Sequence, residues 1–331
     1  MFSWRNIAFK LFCLFGIGRL LLMYNRSKNR IPVLVFHKII PEYDSTWPGI
    51  HPDLFEKIII RLKKHYTILP ISDLLTKKPE ELKNACFITF DDGYKDYLDY
   101  AYPILKRQQV PSALFVLPYQ ISNKGHIWTS TISFFIKHYP YEEIEMFFKN
   151  HGVQIKNHSN NYFKLNHSIT RKLCKLQAKD RVSIVNTLRQ KFIDDNRIIE
   201  NELLNFDELR ALNPSLTQVE SHSFSHPSFK VETDEDFIDN ELKVSKEVIE
   251  RELNKSVTAF AFPFAEYNDL SFKKVKQYYK MCFTDINDFV YLDKIKKDTE
   301  QLFDLSRFYV HHSSAEEIFM LINGFHRIFK R

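Results

Sequence analysis

Residues 87–97 read FITFDDGYKDY. The apolar run from Ala85 to Phe90 stops abruptly at two adjacent aspartates and a glycine. A short continuous apolar run bounded by a turn signal reads as a strand buried on both faces. The Asp-Gly step by itself is an ordinary turn signal. The functional alternative is that the strand carries both carboxylates to the carboxyl edge of a parallel sheet, where α/β folds build their sites. Adjacent residues point in different directions, so one acid can bind a metal while the other takes a proton.

Outward from this strand the chain alternates. Val33 to Phe36 is a short apolar run ending at His37. Pro52 to Tyr66 has helical spacing, with Leu54, Phe55, Ile58, Ile59 and Leu62 on one face. Thr67 to Pro70 reads as a strand, Tyr94 to Gln109 as a helix kinked or interrupted near Pro103, and Ser112 to Leu117 as a strand. Further on, Thr217 to Val219 precedes a polar cluster. Glu235 to Asn254 reads as helix, Val257 to Phe262 as strand, Leu270 to Tyr279 as helix, Leu305 to Val310 as strand and Ala315 to Phe329 as helix. Repeated strand–helix units predict an α/β fold with a parallel sheet or barrel. The alternation lapses between about 122 and 205. There, helices are expected over 126–151 and 168–193, joined by the polar stretch KNHSNNYFKLNHS, as a helical insertion or cap.

With 331 residues, 44% of them hydrophobic, the chain can bury a sizeable core. The net charge of +6 is spread along the sequence, so nothing reads as a nucleic-acid footprint. The four cysteines, Cys13, Cys86, Cys174 and Cys282, form no Cys-x-x-Cys pair and read as buried free thiols, which leans toward a reducing compartment. Ile7 to Tyr24 is apolar, flanked by Arg5, Arg26, Lys28 and Arg30, and has the length of a membrane span. Lys10 and Arg19 lie inside it, and a central arginine costs about 2.5–3.5 kcal/mol on insertion. An N-terminal apolar helix lying on a membrane surface fits better than a span, a helix packed on the domain or a cleaved signal. The expected location is membrane-associated, with the cytoplasmic side favoured over an extracytoplasmic anchored form. Residues 1–30 form a separate segment on this reading, and residues 31–331 fold without it.

A second cluster, SHSFSHPSF, occupies residues 221–229. His222 and His226 are four apart, a spacing that lets two imidazoles face one ion, and Pro227 favours a tight loop over a helix. One carboxylate and two imidazoles make a facial triad with open positions.

With Thr89-Phe90-Asp91-Asp92-Gly93 and His222-Ser223-Phe224-Ser225-His226 in this order, the chain resembles the polysaccharide deacetylase family, the NodB-homology domain of carbohydrate esterase family 4. The resemblance covers about residues 31–312 and extends to VLVFHKI at 33–39 and LLNFDELRAL at 203–212. It implies a distorted (β/α) barrel of about seven strands and a divalent metal, most often zinc. The implied ligands are Asp92, His222 and His226, with Asp91 as catalytic base. The family's third motif, Arg-x-Pro-(Phe/Tyr), appears as Ala261-Phe262-Pro263-Phe264, so the arginine that normally orients the base is absent. Pro263 and Phe264 are the implied substrate-binding residues, with backbone N–H groups nearby for an oxyanion. Asp285 is the nearest match to the fourth motif. His311, after an apolar strand, is the implied general acid, with His37 as its rival. Leu305-Ser306-Arg307 resembles a Leu-Pro-Arg variant found in one branch. The implied activity is metal-dependent hydrolysis of N-acetyl groups on an amino-sugar glycan or a lipid-linked saccharide. The alternatives are a deformylase of a lipid-linked sugar and a non-catalytic carbohydrate-binding relative.

Overall fold

The computed structural model describes residues 4–284, 287–311 and 314–327. Its sheet runs Leu305–Ser306, Met281–Thr284, Ala259–Ala261, Thr217–Ser221, Ser112–Val116, Ala85–Phe90, Val33–Phe36 and Phe308–Tyr309, every neighbouring pair parallel. The first and last strands of that path are two halves of one segment, separated by Arg307. Leu305 and Ser306 pair with Phe283 and Thr284, while Phe308 and Tyr309 pair with Leu34 and Val35. The sheet therefore curls back on itself into a nearly closed barrel. Counted this way, the expected seven or so strands are present.

Nearly every residue of these strands is buried, on both faces, as the apolar runs require; only Gln218 and Tyr309 are half-buried. Val33, Phe87, Phe115, Ala261 and Phe283 pack together as one layer. Their strand neighbours Leu34, Ile88, Leu114, Phe260 and Cys282 face the layer that takes in the surrounding helices. Met281–Thr284 was not expected as a strand. Only Tyr279 and Lys280 separate it from the helix Asp269–Tyr278, too little punctuation to mark a boundary. The short strand Thr67–Ile68 pairs with Ala85 and Cys86, off the barrel path. Pro103 does not break its helix. A wide π-turn over Tyr97–Ala101 absorbs it, and the helix continues over Tyr102–Gln108.

The insertion consists of helices Trp128–His138, Tyr141–Asn150, Tyr162–Leu173 and Ala178–Asp194, with a hydrophobic cluster of its own. Two helices were expected. Pro140 divides the first, and the second starts earlier, inside the asparagine-rich stretch, and is itself broken between Leu173 and Ala178. There the Asn161 side chain accepts the Lys164 N–H at 2.9 Å and caps the helix that buries Leu165 and Ile169.

The N-terminal segment is not one apolar helix but two, Trp4–Leu14 and Ile17–Ser27, separated by Gly16 at φ +79°. The second packs on the barrel so closely that a Cβ on Gly18 would meet the Phe319 ring at 2.8 Å. Asn25 is buried and donates to the Asn323 carbonyl at 2.8 Å. Arg30 and Ile31 pair antiparallel with Tyr291 and Val290. Among the described residues, Ile17–Ser27 and Arg30–Ile31 are thus packed and hydrogen-bonded onto the rest of the fold. Among the described residues, no helix is long and apolar enough to cross a membrane. All four cysteines are free, three of them buried.

Candidate active site and metal centre

The strand Ala85–Phe90 ends at Asp91, whose N–H donates to the Phe36 carbonyl at 3.0 Å and so continues the ladder by one residue. Asp92 and Gly93 then both adopt left-handed backbone, with φ +74° at each. Two such residues in succession turn the chain sharply and leave both carboxylates on the wall of one cleft. The cleft, about 190 Å³, lies at the carboxyl edge of the barrel. Its other walls come from His37, Trp47 and Tyr309, and from Ser130, Asn166 and Arg171 on the insertion. The insertion is therefore part of the site.

The second motif is a strained loop held by buried partners. Ser223 and His226 have φ of +76° and +67°, uncommon for residues with a Cβ. The Ser223 hydroxyl accepts the His226 N–H at 3.0 Å. Glu241 accepts the N–H groups of Phe224 and Ser225 at 2.9 and 2.8 Å, as well as the Ser225 hydroxyl. Glu241 sits in a second π-turn, Asn240–Val244, which re-aims it from the long helix toward this loop. Trp128 of the insertion donates its indole N–H to the His226 carbonyl at 2.9 Å. The Phe264 ring lies 4.6 Å from the His226 ring and 5.6 Å from that of Trp128.

These supports bring the predicted ligands together. The Nε2 atoms of His222 and His226 lie 3.5 and 3.3 Å from Asp92 Oδ1. Among the described residues, Asp92, His222 and His226 are the one group whose ligand atoms all fall within 4.8 Å of one another. The donor set fits a divalent cation. His222 Nδ1 lies 2.8 Å from the Ala261 carbonyl, which can only accept, so Nδ1 carries the proton and Nε2 presents its lone pair. Burial pushes the His222 imidazole down to about 4, which keeps it neutral as a ligand must be. Asp92 Oδ1 is buried without a hydrogen-bond partner, a costly arrangement that a cation would relieve.

Asp91 is held by a residue that the sequence left without a role. Arg307, fully buried, donates through Nη1 to Asp91 Oδ1 at 2.8 Å and through Nη2 to Oδ2 at 2.7 Å. Its guanidinium also donates to Thr89 Oγ1 at 3.2 Å and lies 5.5 and 5.8 Å from the Phe115 and Phe283 rings. Burial alone would raise the Asp91 carboxyl. Arg307 and then His222 outweigh it and hold the group below the usual carboxylate range. The arginine missing at Ala261 is thus supplied from the strand that closes the barrel. The signal was the lone arginine in the apolar run LSRFYV at 305–310.

The remaining expected site residues divide. Phe264 lines the cleft, whereas Pro263 is buried behind it. Near the third motif, the Ala265 and Glu266 amides donate to the Phe262 and Pro263 carbonyls, each at 3.1 Å. His311 is exposed and outside the cleft, its ring beside Tyr309. His37 lines the cleft, and its Nδ1 is buried without a hydrogen-bond partner. Asp285 lies outside the described residues.

A family model described as polysaccharide deacetylase matches residues 78–194 and 168–281. A polysaccharide deacetylase candidate of Bacillus subtilis (strain 168), YxkH, is 27% identical over 146 residues, covering 41% of this chain and 45% of that protein. The match thus spans about half the length of this curated relative. Among solved structures, the Streptococcus pyogenes deacetylase PplD in complex with acetate has a TM-score of 0.59 at 16% identity, covering 88% of this chain and 98% of that one. A de-N-acetylase from Aggregatibacter actinomycetemcomitans has a TM-score of 0.54 at 15% identity, covering 88% and 99%. At these identities the two structures establish a shared fold.

Proposed function

The chain belongs to the polysaccharide deacetylase family, hydrolases of carbon–nitrogen bonds, and from that premise we propose that it removes N-acetyl groups from an amino-sugar glycan or lipid-linked saccharide. The observation that carries this reading is the pairing of a three-ligand cluster with a separately clamped carboxylate in one cleft. Asp92, His222 and His226 would hold a divalent metal, with zinc the best match to two imidazoles and a carboxylate. When bound, such an ion polarises an amide carbonyl and makes water more acidic.

Asp91 accepts the proton of the attacking water. Its bond to Arg307 keeps it ionised and fixes the direction of both oxygens. A new C–O bond forms at the acyl carbon, the C–N bond breaks, and the nitrogen leaves with a proton. We assign that proton to His37 in place of His311, because His37 faces the cleft and His311 does not. The products are acetate and a free amine on the sugar. Intact Asp91, Asp92, His222 and His226 speak against a non-catalytic relative. The test is acyl release from defined N-acetylated and N-formylated amino-sugar oligomers. Acetate from the first supports the reading, and formate from the second alone replaces it with a deformylase.

A further inference from the structure

Away from the cleft, a recess of about 1120 Å³ lies between the N-terminal helices, the helix Pro52–His65 and the helix Ala315–Leu321. Its lining carries Lys10, Arg19, Lys57, Arg61 and Lys64. The single acid on it, Glu316, is already paired with Arg61 at 2.9 Å. Beside these cations stands an apolar ridge. Leu14 and Phe15 are 79% and 74% exposed at the bend before Gly16, and Leu20 and Met23 are 66% and 65% exposed on the next helix. Ile60, on the helix across the recess, is 51% exposed. The bend projects into open space, since a Cβ on Gly16 would meet nothing within 4 Å.

A packed helical hairpin has no folding reason to expose so many large apolar side chains in one place. Two occupants are disfavoured by charge. A second copy of the chain would set the same cations against themselves. A purely apolar partner would leave those cations desolvated without counter-charges. What suits both features is a surface with anionic groups at one depth and hydrocarbon just below. Neither helix is long enough to go through it.

We propose that this face seats on the anionic surface of a phospholipid bilayer. Leu14, Phe15 and Leu20 enter the acyl boundary, and Lys10, Arg19, Lys57 and Lys64 meet the lipid phosphates. This orients the whole chain on the membrane and does not depend on the deacetylase reading.

The experiment is sedimentation of the full chain with vesicles of phosphatidylcholine alone or mixed with phosphatidylglycerol, at low and high salt. Two variants accompany it, Leu14→Glu/Phe15→Glu and Lys57→Glu/Lys64→Glu, all at exposed positions. Thermal melts and light scattering check their fold and oligomeric state. The expected result is preference for the anionic vesicles, weakened about tenfold or more by each variant and by high salt. No preference for phosphatidylglycerol, or unchanged binding in both folded variants, overturns the proposal. So does a dimer that Leu14→Glu/Phe15→Glu converts to monomer, which would assign the face to a second copy.

Discussion

Replacing Arg307 by methionine keeps much of the side-chain volume but removes the only cation bonded to Asp91 among the described residues. Both partners are almost entirely sheltered, with side-chain exposures of 0% and 2%. Removing one member of such a pair leaves an uncompensated buried charge, which costs about 3–5 kcal/mol. The pH dependence should also reverse in sign. In the native chain Asp91 has a depressed pKa. The pair therefore stabilises the fold above the ordinary carboxylate value near 4 and loses that contribution as pH falls through the lower folded value. Without Arg307 burial dominates, the carboxyl pKa rises, and stability is instead lost as pH climbs above about 4. Urea denaturation of the metal-free protein at about pH 5 and about pH 8 measures both effects. Asp91→Asn and the double variant Arg307→Met/Asp91→Asn complete the cycle. The double variant should recover much of the loss, with a coupling of at least about 2 kcal/mol. If Arg307→Met costs less than about 1 kcal/mol at about pH 8 and shows no coupling to Asp91, the clamp is not what holds the carboxylate.

Asp92→Ala, His222→Ala and His226→Ala should each abolish most zinc binding, as elemental analysis of purified protein would reveal; full occupancy in all three would remove the site assignment. His37→Gln should slow acetate release by about 10²–10⁴-fold, with His311→Gln close to wild type, and the reverse order of rates would return the proton to His311. Burial pushes Glu241 up to about 7, so ionising it in the fold costs stability progressively as pH rises from about 4.5 to 7. Glu241→Gln can still accept both loop N–H groups, so it should flatten that slope in denaturant melts; an unchanged slope would show that Glu241 is not its source.

Strands whose ends carry turn residues were legible in the sequence, because an apolar run followed by Asp-Gly or by a polar cluster has visible edges. Met281–Thr284 was not, since it follows its helix with almost no punctuation. That Asp92, His222 and His226 would come together was legible because a metal site demands such residue types at short spacing. The clamp was harder to see. Arg307 lies 216 residues from Asp91, and only barrel closure brings its strand beside Val33–Phe36. The choice between His37 and His311 also turns on side-chain direction at neighbouring strand ends, which composition and spacing do not encode. At the N-terminus, hydropathy showed an apolar stretch with internal charges. It did not show that Gly16 would bend it, or that Gly18, Leu22 and Asn25 would face the barrel.

The central claim is that this cleft hydrolyses an N-acyl group by means of a metal held at Asp92, His222 and His226 and a base at Asp91. The most direct measurement is acetate and free-amine release by the purified full chain from defined N-acetylglucosamine oligomers and a lipid-linked N-acetyl sugar. It is made before chelation, after chelation, and after zinc is restored, with Asp91→Asn in parallel. The account predicts equal amounts of acetate and amine, loss on chelation, recovery with zinc, and a rate about 10²–10⁴-fold lower in a zinc-replete Asp91→Asn protein. Release that survives complete metal removal, or that Asp91→Asn sustains at the wild-type rate, would contradict it.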